Sequence, residues 1–302
     1  MSLAIAVLGG GAWGTTLAQL FTAGGHQLRQ WRRSDGESAL DALQNSELVV
    51  SAVALVGVEP LAQRLSGWPK AMPLVSCSKG LDPETGRTAS QIWQQHCQNW
   101  PLLVLSGPNL AAELRQGLPA ASVLAGGDEQ LLRSLQGQLS TECLRLYRNQ
   151  DPLGTELAAG LKNVMAIAAG VCDGLGLGAN ARASLLTRAL AEMQLVMEGM
   201  GGRSDTLYGL AGLGDLLATA TSPLSRNYRF GLALAKGESL SEALEGIAAT
   251  VEGVPTTRAL IRLARQRGWT LPIVEQVQAL LEARISPPEA LRRLMERQLR
   301  SE

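Results

Sequence analysis

An aliphatic run at positions 3–8 leads directly into Gly9-Gly10-Gly11-Ala12-Trp13-Gly14, and no other stretch constrains the fold as strongly. A short run unbroken by charge reads as a strand buried on both faces. Glycines at G-x-G-x-x-G spacing behind such a strand specify a tight turn, a point of close approach to the backbone, and a close strand–helix contact. A helix over 15–23 completes the context. Runs at 48–53, 74–77, 102–105 and 121–125 share this character, bounded mostly by Gly, Pro or Ser. Residues 1–150 therefore read as an open α/β, Rossmann-like domain with a parallel-sheet core.

After Asp151-Pro152 the strand signal fades. Segments 155–171, 182–200, 204–220, 226–236, 239–248, 255–267, 272–283 and 287–300 carry helical periodicity. In one of them Leu186, Leu190, Met193 and Met197 recur at spacings of three and four, marking one apolar face. Glycine interruptions at 174–178 and 209–214 are too brief for linkers and read as turns between packed helices. Residues 151–302 form the second, all-helical domain of this reading.

Lys plus Arg and Asp plus Glu each total 27, so there is no global basic footprint to suggest a nucleic-acid partner or an anionic surface. Wholly apolar runs fall far short of the roughly 20 residues of a membrane span, so no membrane insertion is expected. The first residues lack a basic n-region and do not read as a secretory signal. Cys77, Cys97, Cys143 and Cys172 show no CxxC spacing, so reduced thiols in a cytoplasmic protein are expected. No metal site is expected, because His, Cys and carboxylates do not cluster at ligand spacing. His26 and His96 read as surface residues.

Gly9, Gly11 and Gly14, followed by a helix whose N-terminal N–H groups are free, point to a dinucleotide pyrophosphate. The second strand is expected to end near Trp31, where an NAD site usually carries an acidic residue. Arg32-Arg33 stands there instead, which suits a 2′-phosphate and favours NADP, while the nearby Asp35 keeps NAD possible. Lys79 follows a strand at the carboxyl edge of the sheet, where open sheets bind ligands. Lys162 lies in a helix whose residues for about a turn on each side are mostly apolar, Ala, Val, Ile and Met among them. There it either snorkels to solvent or is held in a site.

Several further segments carry a resemblance: Ser78-Lys79-Gly80-Leu81 with Glu84-Thr85-Gly86-Arg87, Ser106-Gly107-Pro108-Asn109-Leu110-Ala111-Ala112-Glu113, and Leu161-Lys162-Asn163-Val164. Asp173-Gly174, 178–182, Ala211-Gly212-Leu213-Gly214-Asp215-Leu216, Ser225-Arg226-Asn227 and Val251-Glu252-Gly253 follow. With the glycine turn and Thr15, in this order across nearly the whole chain, they resemble the bacterial-type NAD(P)-dependent glycerol-3-phosphate dehydrogenases. The resemblance implies a helical domain like the C-terminal domain of 6-phosphogluconate dehydrogenase. It also implies interconversion of dihydroxyacetone phosphate and sn-glycerol 3-phosphate with NAD(P)H, supplying glycerophospholipid synthesis, in a homodimer.

The same resemblance implies roles. Lys162 is the acid/base, with Lys79 on the same substrate and Asp215 and Thr219 completing the polar wall. Gly107, Asn109, Asn163, Ser225, Arg226 and Asn227 lie on the substrate side, Arg226 and Asn227 toward its phosphate. Ala12, Trp13, Arg32, Arg33, Lys79, Ala111, Arg226, Thr250 and Glu252 join Gly9, Gly11 and Gly14 as cofactor contacts. Each has a structural rival: Asp215 could only cap a helix, Arg226 could be half of a surface ion pair, and Asn180 and Arg182 could merely start a helix.

The chain departs from the family pattern in two places. Only 34–47 separate Arg33 from the next strand, where the family has a longer stretch, and Ala54-Leu55 replaces the family's Pro-Ser. Both changes lie on the cofactor side. Two other readings remain at this level: a β-hydroxyacid dehydrogenase of the same architecture acting on a small carboxylate, and a non-catalytic dinucleotide sensor. Substrate phosphate dependence separates the first, turnover the second.

Overall fold

The computed structural model describes residues 2–36, 38–247 and 249–296. Strand β1 (Ala4–Leu8) turns through the glycines into α1 (Ala12–Ala23) and returns as β2 (Gln27–Trp31). Then come α2 (Ala39–Leu43), β3 (Leu48–Ser51), α3 (Val58–Leu65), β4 (Leu74–Ser76), α4 (Ala89–His96) and β5 (Leu102–Ser106). The first half ends with α5 (Ala111–Leu114), β6 (Ala120–Gly126), α6 (Glu129–Leu139) and β7 (Leu144–Asn149). The sheet order is β2-β1-β3-β4-β5-β6-β7. The order reverses between β1 and β3, and the glycine turn sits at that switch point, where open sheets bind ligands.

Alternation along the strands sends side chains to two cores. Ala6, Leu8, Val49 and Leu74 pack with Val58, Leu61, Leu65 and Trp93 under α3 and α4. Ile5, Val7, Val50 and Val75 pack with Leu17, Phe21, Leu132 and Leu135 under α1 and α6. Both faces are covered, which is why these strands read as continuous apolar runs.

The sheet is not uniformly parallel. β5 and β6 run antiparallel, with Leu103 opposite Gly126, because their connection holds only the four-residue α5 instead of a full crossover helix. β7, absent from the expected strands, pairs parallel with β6 at the sheet edge. It buries Leu144 and Leu146 and exposes Arg145 and Arg148, and those charges masked its pattern. His26 is also not a surface residue. Its ring is buried, accepts from Leu3 N at 3.0 Å and pairs with Gln138 O at 2.9 Å, tying β1 to α6.

The second half is helical: α7 (Pro152–Gly174), α8 (Gly178–Met200), α9 (Ser204–Leu207), α10 (Asp215–Ala220), α11 (Arg226–Ala235), α12 (Leu240–Ile247), α13 (Gly253–Arg267), α14 (Pro272–Leu281) and α15 (Pro287–Met295). The single helix expected over 204–220 is broken by a π-helical turn, Leu210–Gly214, between α9 and α10. The expected ends at 248 and 297–300 fall outside the described residues. Asp151 caps α7 by accepting from Gly154 N at 2.8 Å, and Pro152 occupies its first turn. By length and apolarity α7 could cross a membrane, yet most of it is buried among α8, α10, α11 and α13, as befits a core helix. Glu156, also buried, reaches from α7 to Ser90 N at 2.9 Å at the start of α4 and so ties the helical layer to the sheet layer. All four cysteines are free thiols.

Candidate active site

Two close backbone approaches set the site. Gly80, at φ +110°, turns the chain after β4, and a methyl on Gly160 of α7 would lie 2.9 Å from Gly80 N and Cα. The middle of α7 therefore rests directly on the carboxyl end of the sheet. Ser78 Oγ donates to Val53 O at 2.8 Å and joins the ends of β4 and β3 beneath it. The π-helical turn supplies the third wall. It packs so tightly that a methyl on Gly212 would strike Leu207 O at 2.0 Å, and it delivers Asp215 inward at the start of α10.

These elements bring four of the expected residues together. Lys162 Nζ donates to Asp215 Oδ1 at 2.8 Å and to the Thr219 hydroxyl. Lys79 Nζ donates to Asp215 Oδ2 at 2.6 Å, and Thr219 Oγ1 to Asp215 Oδ1 at 3.2 Å. The Lys162 side chain is only 6% exposed, so it does not snorkel; Lys79, at 19%, faces the open side. Asp215 spends both oxygens on ammonium groups and caps nothing.

Electrostatics follow from this burial. Desolvation pulls the Lys162 ammonium down to about 8, against the raising pull of Asp215 and with help from the Lys79 charge. Burial pushes the Asp215 carboxyl up, but the two lysines outweigh it and hold it below the usual carboxylate range. Lys162 is thus drawn toward the range where an amine exchanges its proton, while Asp215 beside it is held as a carboxylate.

A relay of amides lies alongside. Asn163 Nδ2 donates to Glu252 Oε2 at 3.3 Å, Asn227 Nδ2 to Asn163 Oδ1 at 3.0 Å, and Gly253 N to Asn227 Oδ1 at 2.9 Å. Burial raises the Glu252 carboxyl, against the charges of Arg226, Lys79 and Lys162. Arg226 is exposed at the start of α11 and makes no ion pair among the described residues. Ser225 caps that helix by accepting from Tyr228 N at 3.2 Å. Asn109 accepts from Ser122 Oγ at 2.8 Å, and its buried Nδ2 is an unspent donor. Gly107, at φ +150°, sits against Ser122, and Pro108 lies beneath Gly214, beside the Asp215 turn. Arg182 does more than start a helix: it pairs with Asp173 Oδ2 at 2.8 Å.

The glycine turn fits a dinucleotide. Gly9, at φ +129°, would drive a methyl to 2.6 Å from Ala52 O, and a methyl on Gly14 would lie 2.4 Å from Gly9 O. Gly11 opens into free space and caps α1 without a side chain, so the first N–H groups of α1, at Ala12, Trp13 and Gly14, remain available to phosphate. Trp13 is half-buried and packs against the core that contains Cys77. Gln30 Nε2 donates to Gly9 O at 2.9 Å, and the Arg32 stem lies across Gly10 with its guanidinium on Gln30 Oε1 at 3.3 Å. Arg33 is exposed at the next turn, Ala111 is half-buried at the start of α5, and Thr250 is exposed just ahead of the relay. The 34–47 segment still forms a short helix, α2, capped by Ser38.

Sequence reasoning had no role for Glu156 or Tyr228. A carboxylate inside an apolar helix is a visible signal, but its partner Ser90 lies far away in the chain.

Comparison with known proteins agrees with this geometry. The models of the NAD-dependent glycerol-3-phosphate dehydrogenase N-terminus and C-terminus match residues 4–41 with 36–132, and 151–292, respectively. A glycerol-3-phosphate dehydrogenase [NAD(P)+] of Synechococcus sp. (strain RCC307) is 66% identical over 302 residues, covering all of both chains. One from Acaryochloris marina is 49% identical over 99% of this chain and 97% of its own. The crystal structure of glycerol-3-phosphate dehydrogenase from Coxiella burnetii superposes with a TM-score of 0.93 at 33% identity, covering 98% of this chain and 99% of that one. The chain belongs to the NAD-dependent glycerol-3-phosphate dehydrogenase family.

Proposed function

We propose that this chain is an NAD(P)-dependent oxidoreductase interconverting dihydroxyacetone phosphate and sn-glycerol 3-phosphate, with Lys162 as its acid/base. The observation that carries the reading is the buried Lys162 ammonium, drawn down to about 8 and aimed by Asp215 and Thr219 beside Lys79.

When bound, the nicotinamide supplies or accepts the hydride at the substrate's carbonyl carbon. In reduction Lys162 gives a proton to the carbonyl oxygen as that oxygen gains charge; in oxidation the neutral amine takes it back. Lys79 donates to the same substrate and stabilises the developing alkoxide. Asp215 holds both ammonium groups at fixed separation, so little reorganisation is needed during the reaction. Gly107 and the unspent Asn109 amide face the substrate, and Asn163 anchors its neighbours. Ser225, Arg226 and Asn227 receive the phosphate, for which an unpaired guanidinium provides two parallel donors.

Gly9, Gly11 and Gly14 with Ala12 and Trp13 cradle the pyrophosphate, and Ala111, Thr250 and Glu252 border the remaining cofactor. Arg32 and Arg33, with no acidic residue at the end of β2, favour NADP over NAD. The division into residues 1–150 for the cofactor and 151–302 for the substrate belongs to this reading. So does a role in supplying glycerophospholipid synthesis. A cytoplasmic setting fits four free thiols. A homodimer fits the exposed Leu195, Tyr208 and Leu217 of the helical layer.

The test is substrate-dependent loss of reduced-nicotinamide absorbance. Rapid oxidation of NADPH with dihydroxyacetone phosphate, and little with unphosphorylated dihydroxyacetone, supports the reading. Turnover of small hydroxy acids without a phosphate requirement would replace it with the β-hydroxyacid reading.

A further inference from the structure

Asp173, Arg182 and Tyr228 form a polar cluster behind the substrate wall. Tyr228 Oη donates to Asp173 Oδ2 at 2.7 Å, and Arg182 Nη1 donates to the same oxygen at 2.8 Å. Asp173 stands at the end of α7, three turns beyond Lys162, while Tyr228 lies in the first turn of α11, next to Asn227 and two residues after Arg226. The cluster joins the end of the helix carrying the acid/base to the start of the helix carrying the phosphate residues.

The packing shows why such a joint is needed. α7 and α11 cross through Gly170 and Gly231: a methyl on Gly170 would lie 2.1 Å from Tyr228 O, and one on Gly231 2.1 Å from Ile167 O. The crossing brings the two backbones close, and the side chains of α11 that share a core with Ile167 and Val171 of α7, Phe230 and Leu234, lie a turn or more beyond Arg226. Arg226 has no hydrogen-bond partner of its own among the described residues, so its place depends on how α11 is turned. Beside Arg226 itself, in the first turn of α11, two polar side chains add to that packing. Asn227 is held on Asn163 at 3.0 Å, and the Tyr228 phenol is held on Asp173. The phenol stays protonated and donating, because burial and then Asp173 push it up to about 12.

We infer that Asp173 and Tyr228, braced by Arg182, are positioning residues that set the rotation of α11 so that Arg226 meets the substrate's phosphate. The inference rests on the reading of the site given above. It makes discrimination for a phosphorylated substrate depend on residues that never touch that substrate.

The experiment compares wild type with Tyr228→Phe and Asp173→Asn in the full chain. Tyr228→Phe keeps the ring and removes only the hydroxyl. The expected result is a KM for dihydroxyacetone phosphate raised about tenfold with kcat within about twofold, the pattern of lost binding shared by ground and transition states. The slow reduction of dihydroxyacetone should not change. Asp173→Asn keeps an acceptor for the phenol and loses the charge that holds Arg182, so a smaller rise in KM is expected. Equal slowing on both substrates, or an unmoved preference for the phosphorylated one in a variant that melts like wild type, overturns the inference. Wild type that leaves dihydroxyacetone phosphate untouched overturns the reading of the site itself, and the inference with it.

Discussion

Gly160 of α7 lies so close to Gly80 after β4 that a single added methyl would sit 2.9 Å from Gly80 N and Cα. This contact sets the distance between Lys79, next to Gly80, and Lys162, half a turn beyond Gly160. Gly160→Ala should push α7 away from the sheet. The overpacking is expected to cost about 1–3 kcal/mol in chemical denaturation. A larger fractional loss should appear in kcat/KM, because the Lys79–Asp215–Lys162 geometry opens. Full activity in Gly160→Ala would show that the backbone contact does not set the site.

The pH dependence has a definite sign. If Lys162 is the acid/base proposed above, reduction uses its ammonium, so kcat/KM should be level below about pH 8 and fall above it; oxidation uses the amine and should rise through the same range. Asp215 raises the Lys162 pKa, so Asp215→Asn should move the falling limb of reduction to lower pH as well as slow the reaction. A limb that stays in place in Asp215→Asn would assign the titration to another group.

Much of this was legible in the sequence. The runs around positions 4–8 and 48–51 read as strands because both faces of the sheet are covered, and the glycine turn announced its own geometry. β7 did not, because a sheet-edge strand can expose Arg145 and Arg148. The reversal of β6 was equally hidden, since direction depends on the shape of the connection and not on the apolarity of the strand. Lys162 was ambiguous in isolation. Whether a lysine in an apolar helix reaches water or a carboxylate depends on what lies across from it, and Asp215 is brought there by a π-helical turn that the pattern over 204–220 concealed. The resemblance, not periodicity, carried the roles of Arg226, Asn227 and Glu252.

Arg32 and Arg33 should decide the cofactor. Removing both guanidinium groups is expected to weaken NADPH binding by about tenfold or more, at roughly 1.5–3 kcal/mol for a charge-assisted hydrogen bond, while NADH binding changes little. Titration of each nucleotide by fluorescence checks this. An equal loss for both nucleotides would mean that the pair only shapes the turn over Gly10.

The amide relay makes a separate claim on stability. Asn163→Ala strands Asn227 Nδ2 and Glu252 without their partner, so a loss of about 1–3 kcal/mol is expected in denaturant titration. Asn163→Asp should recover little, since it places a second carboxylate beside Glu252. Wild-type stability in Asn163→Ala would mean that water replaces the amide at no cost.

The most direct measurement is the single-turnover reduction of dihydroxyacetone phosphate by NADPH with Lys162→Ala beside wild type. A fall of at least about a hundredfold in the hydride-transfer rate, with NADPH still bound and the fold intact, is the expected result for loss of the acid/base. A rate within a few-fold of wild type would contradict the central claim and move the proton transfer to Lys79 or to water.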